Sequence, residues 1–384
     1  MTPDVSVFRH PERVNAWLER LSAITTRSWN ILEVCGGQTH TILRHGLDTL
    51  LPPGISLRHG PGCPVCVTSV TKIDQAVGLA LDHGLVLCTF GDMLRVPGST
   101  MSLGDARALG ADVRVVTTPL EALGIARGET RREVVLFAIG FETTCPGTAA
   151  VVHEAVTHGI PNISILMSHV RVLPVVEMLL RDPNREIQAL IAAGHVCAIT
   201  GFADYHPLAR EFRLPIVVTG FEPVDLLRGI TLCVEQLEKG EARVQNAYER
   251  VVKEHGNPRA LALIETYFEV ADQEWRGLGI IPKGGFRLRP EYVDIDASGR
   301  FGGALGTAPK GAAKSVWTSM GQTSCSAGAV LSGQITPLAC PSFGTRCRPE
   351  SPLGAPMVSS EGACAAYFRH KWDGILPCKQ NVTH

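Results

Sequence analysis

The stretch Gly60-Pro61-Gly62-Cys63-Pro64-Val65-Cys66 sets two thiols three positions apart, with glycines and prolines around them. On one tight turn such thiols meet, which suits a reversible disulfide or a pair of metal thiolates. Residues 67–77 then open a helix. The positive end of a helix favours a thiolate, so one of Cys63 and Cys66 is expected to have a lowered pKa. The alternative is a glycine-rich turn holding two small buried residues.

Other chemistry-bearing residues lie where strand-like runs stop. Cys35-Gly36-Gly37-Gln38-Thr39-His40 carries a thiol followed by two glycines, which let a ligand approach the backbone closely. His40 can share a site with Cys35 if the segment turns; otherwise both are satisfied by packing. Asp92 follows another such run, and so does Glu142, either as an acid–base group or as a carboxylate capping the helix after it. His169 ends a further run, and these strand ends can face one cleft.

Four cysteines stand near the C-terminus: Cys325, Cys340, Cys347 and Cys364, with fourteen, six and sixteen residues between them. Interspersed prolines and glycines let the chain wrap around an iron–sulfur cluster or a zinc ion. Zinc sites usually pair cysteines two to four residues apart, and no gap here is that short, so spacing favours the cluster over zinc or no metal. Cys88, Cys145, Cys197 and Cys233 sit in or beside apolar runs and read as small core residues. Cys378, in a polar tail, is given no role.

The bulk properties narrow the field. A chain of 384 residues with 45% hydrophobic content supports two or three domains with real cores. A net charge of −1 supplies no basic field for nucleic acid. No run reaches membrane-spanning length, and the first residues lack a signal-peptide pattern, so a cytoplasmic location is expected. Cytosolic thiols usually stay reduced, and the twelve cysteines therefore point to metal binding or redox chemistry.

The elements that must position these groups alternate between strand and helix. Residues 11–26 form an amphipathic helix; strands follow at 29–34, 55–58, 85–90 and 112–116, with helical segments between. The pattern restarts with strands at 133–139, 163–167 and 215–219, while 187–193 reads as helix. Residues 224–268 read as long and helical, 277–292 as extended, and 301–323 as a loop. The expected fold is α/β: two similar parallel-sheet domains plus a helical and irregular C-terminal domain. The expected division is an N-terminal helix at 1–28, domain I at 29–120, domain II at 121–223 and the cysteine-rich domain at 224–384.

Taken together, the motifs around Cys35, Cys63 and Cys66, Gly91-Asp92-Met93-Leu94-Arg95-Val96-Pro97-Gly98-Ser99, Gly140-Phe141-Glu142-Thr143-Thr144 and Met357-Val358-Ser359-Ser360-Glu361-Gly362-Ala363-Cys364-Ala365-Ala366-Tyr367 resemble the HypD family of hydrogenase maturation proteins. The resemblance runs from about residue 30 to 367, in the family's order. It implies a scaffold that helps build the Fe(CN)2CO group of [NiFe] hydrogenases, together with a small HypC partner and a HypE cyanide donor. It further implies that Cys35 helps hold the iron, that Cys63 and Cys66 form a redox-active dithiol, and that Glu361 is functionally important. By the same resemblance Cys325, Cys340, Cys347 and Cys364 bind a [4Fe-4S] cluster. Two departures stand out, for Pro356 and Ala327 occupy positions where the family usually carries further cysteines.

A cluster able to feed electrons to the Cys63–Cys66 pair would make the scaffold redox-capable. The rival readings are an iron–sulfur-dependent thiol–disulfide oxidoreductase acting on protein disulfides, and a binding module stabilised by zinc. The Cys35 loop argues for the scaffold, because a simple disulfide reductase has no need of a third thiol followed by Gly-Gly and a histidine.

Overall fold

A computed structural model describes residues 5–82, 84–302 and 325–372. Its strands, in chain order, are β1 (Trp29–Glu33), β2 (Ile55–His59), β3 (Val86–Thr89), β4 (Asp112–Val115), β5 (Val134–Gly140), β6 (Ile163–His169), β7 (Ala189–Ala193), β8 (Ile216–Thr219), β9 (Val244–Asn246), β10 (Phe268–Trp275) and β11 (Gly279–Leu288). They form two parallel sheets, in the orders β2-β1-β7-β8-β9 and β4-β3-β5-β6, and an antiparallel β10-β11 hairpin.

Both parallel sheets are wound alike. Each starts at an inner strand, steps to one side, and then returns to continue on the other side. Reversal of direction opens a crevice at the carboxyl ends, between β1 and β7 in the first sheet and between β3 and β5 in the second. All seven residues of β5, and all seven of β6, are buried. Burial on both faces is why these strands are nearly continuous apolar runs rather than alternating ones.

The two sheets do not divide the chain in sequence order. Strands β3 to β6 form one sheet, and this unit is inserted between the second and third strands of the other. Residues 29–120 thus contribute to both sheets, as do residues 121–223. Buried parallel strands look alike in sequence, so the restart of the pattern marks a repeat of winding rather than a boundary.

Residues 187–193 also differ from expectation. Ala189–Ala193 is β7, held between β1 and β8 and buried throughout, whereas the helix starts at Gly194. A short apolar run that is buried on both faces has no period by which helix and strand can be told apart. The expected long helix over 224–268 ends at Lys239, where Gly240 adopts φ 68°. Beyond it come β9, the helix Pro258–Tyr267, and the hairpin whose second strand accounts for the extended stretch at 277–292.

The C-terminal region, 325–372, is built of short helices and turns. Its own apolar cluster is small, comprising Leu43, Phe343, Cys347, Met357, Ala366 and Tyr367 among its buried members. The helix Ala363–His370 packs on the helix Gly36–Arg44, which brings this region onto the carboxyl edge of the first sheet. Among the described residues no helix is long and apolar enough to cross a membrane.

Candidate functional site

Cys35 lies just beyond β1 at the N-cap of the helix Gly36–Arg44, beside the crevice where the first sheet reverses. The loop after β2 crosses directly over it. Gly36 N–H donates to the Gly62 carbonyl at 2.9 Å, and a Cβ on Gly62 would lie 2.5 Å from the Cys35 carbonyl carbon and amide nitrogen. Carbon atoms do not approach so closely, so only glycine lets the two cysteine loops touch.

Cys63 and Cys66 are joined by a disulfide, buried, with Cα atoms 5.3 Å apart. The pair therefore has no thiolate to stabilise, and the lowered pKa expected from its helix does not arise in this oxidised state. Cys63 instead caps the short helix Pro64–Val67, its sulfur accepting from Cys66 N–H at 3.2 Å. Cys35, by contrast, is a free thiol at a helix start. Amide hydrogen bonds from Gln38 and Gly37 favour its thiolate, yet loss of surrounding water outweighs them and, with Glu33 and Glu361 nearby, pushes it up to about 12.

Glu33 holds the Cys35 loop from beneath. Its fully buried carboxylate accepts Cys35 N–H at 2.8 Å and the Thr39 hydroxyl, and it bonds His59 Nδ1 at 2.6 Å. His59 Nε2 reaches the Tyr367 hydroxyl at 3.0 Å. This chain ties the ends of β1 and β2 to the C-terminal helix. Neither Glu33 nor His59 is among the residues that sequence reading selected, and Tyr367 entered it only as the last residue of the C-terminal motif. The available signal was position alone, Glu33 two residues before Cys35 and His59 directly before the glycine turn.

Asp92 reaches the same place from the second sheet. It lies in the turn Gly91–Arg95 after β3 and accepts the Ser359 hydroxyl at 2.8 Å, while Ser359 Oγ accepts Glu361 N–H at 3.2 Å. Arg95 donates to the Val358 carbonyl at 2.9 Å. Asp92 is thus a positioning residue that fixes the loop bearing Glu361. A Cβ on Gly36 would lie 2.8 Å from Glu361 Cβ, so Glu361 abuts the Cys35 loop. The protein packed around Glu361, and then Asp92, raise its pKa above the ordinary value.

Cys325, Cys340, Cys347 and Cys364 line one pocket, a small cavity of about 20 Å³. Val330, Phe343 and Met357 are among its apolar walls, and Ala327 and Pro356 line it too. Leu353 N–H donates to Cys347 Sγ at 3.4 Å, and a Cβ on Gly354 would lie 2.5 Å from Cys325 Sγ. Among the described residues no three His, Cys, Asp or Glu side chains converge closely enough to hold a metal ion. Four thiols around one apolar pocket are the donor set of an iron–sulfur cluster, and an amide bonded to a cysteine sulfur belongs to the same chemistry.

The pocket adjoins the disulfide. Cys66 Sγ lies 3.9 Å from the Ala355 carbonyl oxygen, and Ala355 follows Gly354 directly. Cys35, the Cys63–Cys66 pair, Asp92, Glu361 and the four-cysteine pocket therefore form one connected site.

Three expected members stand elsewhere. Glu142 is buried and points inward, accepting Val172 N–H at 3.0 Å at the start of the helix Val172–Arg181, rather than capping the helix that follows it in sequence. Its second oxygen has no partner among the described residues, and burial pushes its pKa up to about 7. His169 lies under the loop after β5, with Nε2 2.8 Å from the Thr148 hydroxyl and Nδ1 3.2 Å from the Gly140 carbonyl. Burial lowers it to about 4, so it is a neutral core histidine. His40 lies on a different face of its helix from Cys35, five positions being well over one turn, and its ring meets His370 edge-on at 5.1 Å. Cys88, Cys145, Cys197 and Cys233 are buried and free, as expected of core residues. Cys378 and most of 301–323 lie outside the described residues.

The architecture defines an α/β protein with two doubly wound sheets whose carboxyl edges gather a free thiol, a disulfide and a four-thiol pocket. The HypD family model, described as "Hydrogenase formation hypA family", matches residues 12–371. The chain is 45% identical over 373 residues to hydrogenase maturation factor HypD of Rhodobacter capsulatus, an alignment covering 95% of this chain and 97% of that protein. It is 41% identical over 375 residues to hydrogenase maturation factor HypD of Escherichia coli K12, covering 96% and 98% of the two chains. The corresponding protein of Rhizobium leguminosarum bv. viciae is 44% identical over 352 residues, covering 90% of this chain and 89% of that one. The chain belongs to the HypD family.

Proposed function

We propose that this chain, a hydrogenase maturation factor by family, is a redox-capable scaffold on which the Fe(CN)2CO group of [NiFe] hydrogenase is assembled. A HypC-type chaperone and a HypE-type cyanide donor would be its partners, and the cytoplasm its location. The observation that carries the reading is the backbone contact between the Cys35 loop and the disulfide turn, beside the four-cysteine pocket.

Each residue then has a task. Cys35 would pass its proton to the Glu361 carboxylate that abuts its loop and offer a thiolate to the iron that is the cargo, a soft ligand suited to ferrous iron carrying strong-field cyanide and carbonyl groups. Glu33 and the Gly62 contact hold the Cys35 backbone, while Asp92 and Ser359 hold Glu361 beside it. Cys63 and Cys66 store two reducing equivalents when their bond opens. Cys325, Cys340, Cys347 and Cys364 would hold a [4Fe-4S] cluster, which supplies one-electron chemistry when bound.

Cys35→Ala is the test. It should abolish maturation of the hydrogenase and leave thiol–disulfide exchange at Cys63–Cys66 intact. Surviving maturation with lost exchange would favour the other reading, an iron–sulfur-dependent thiol–disulfide oxidoreductase.

A further inference from the structure

We propose that His195 is a further residue of the Cys35 site, donating an N–H to the nitrogen of a cyanide ligand on the iron that the scaffold carries. The inference rests on the scaffold reading above.

Three adjacent strands, β1, β7 and β8, each place a residue two positions past their carboxyl end: Cys35, His195 and Phe221. Gln38, in the turn after Cys35, ties these ends together. Its Nε2 donates to the Ala192 carbonyl at 3.3 Å and to the Thr219 hydroxyl at 2.7 Å. A Cβ on Gly37 would lie 3.2 Å from Phe221 Cδ1 and 3.8 Å from Cys35 Sγ. The phenyl ring and the sulfur therefore border one space, which the missing side chain leaves open.

His195 is stacked on that phenyl ring. Their centroids are 3.6 Å apart and their planes 19° from parallel. The stack is held from behind, for Phe221 meets Tyr248 edge-on at 6.2 Å, and the Arg250 guanidinium lies 4.5 Å from the Tyr248 ring. Arg250 is itself fixed, donating from Nη1 to the buried Asp225 at 2.8 Å. Glycine lets the ends of β7 and β8 come together, since a Cβ on Gly194 would collide with the Thr219 carbonyl.

An imidazole oriented in this way would ordinarily serve a hydrogen bond. His195 is nevertheless exposed, and among the described residues neither ring nitrogen has a partner. Partial loss of water around the ring lowers its pKa below the ordinary histidine value, so at neutral pH it is a neutral imidazole with one N–H to give. Cyanide bound to iron through carbon keeps a lone pair on its nitrogen, directed away from the metal. A positioned N–H and an anionic acceptor make one of the stronger hydrogen bonds.

The experiment uses the full chain, purified without oxygen together with its HypC-type partner, as wild type, His195→Phe, His195→Gln and Phe221→Leu. Iron is assayed, circular dichroism checks the fold, and infrared spectra record the cyanide and carbonyl stretching bands. His195→Phe keeps a ring on Phe221 and removes the N–H. It should move a cyanide band to lower wavenumber at unchanged iron content. His195→Gln, which restores an N–H, should return the band toward its wild-type position, and Phe221→Leu, which frees the imidazole, should broaden it. Cyanide bands identical in wild type and His195→Phe would overturn the inference while the scaffold reading stands. Loss of iron from a folded His195→Phe would also overturn it, by making His195 an iron ligand. A wild type with no cyanide or carbonyl bands would overturn the scaffold reading, and the inference with it.

Discussion

His59 Nδ1 lies 2.6 Å from Glu33 Oε1, with both side chains shut off from solvent. The pair joins the strand that presents Cys35 to the strand that presents the disulfide, and Tyr367 extends the join to the helix that carries Cys364. Removing the ends of such a chain should have unequal costs. Tyr367→Phe deletes one hydrogen bond and should cost about 1 kcal/mol of stability. Glu33→Ala strips the partners from His59, Thr39 and Cys35 N–H at once and should cost on the order of 3–5 kcal/mol. Urea unfolding midpoints measure both, and equal small losses would show that the chain is not a structural tie.

Gly62→Ala tests the contact between the loops. An added methyl collides with the Cys35 backbone, and neither strand end can retreat, because Gly36 N–H is bonded to the Gly62 carbonyl and Gly60 N–H to the Glu33 carbonyl. The substitution should abolish hydrogenase maturation in a complementation assay while circular dichroism shows the sheets preserved. Full complementation would contradict the proposed geometry.

Glu142 gives a pH dependence of known sign. Its folded-state pKa of about 7 is above the ordinary carboxylate value, so the folded protein binds the proton more tightly than the unfolded chain. The stabilising contribution is complete below the unfolded pKa near 4.5 and is lost as pH rises through about 7. The span corresponds to roughly 3 kcal/mol. Glu142→Gln should therefore flatten the fall in unfolding midpoint between pH 5 and pH 8. An unaltered slope would mean that Glu142 does not carry the dependence.

Sequence made the fold class and the cysteine sites visible for a definite reason. Strands buried on both faces leave unmistakable apolar runs, as in β5 and β6, and thiols beside glycine and proline mark turns where chemistry is possible. Pairing between strands leaves no such local mark. Nothing in residues 29–59 announces that β1 will lie beside β7, more than a hundred residues away, with a second sheet inserted between them. The same limit hid Glu33 and His59, which matter through partners distant in sequence. It also made Glu142 and His169 look like members of the cleft, because a strand end fixes where a residue stands but not which way its side chain turns.

The central claim is that the four C-terminal thiols hold an iron–sulfur cluster beside the disulfide of an assembly scaffold. Its most direct test is iron, sulfide and zinc analysis with a visible spectrum, on wild type and Cys340→Ala purified without oxygen. The account predicts about four irons and four sulfides per chain, with broad absorption near ~400 nm, all lost in the variant. One zinc per chain and a colourless protein would contradict it.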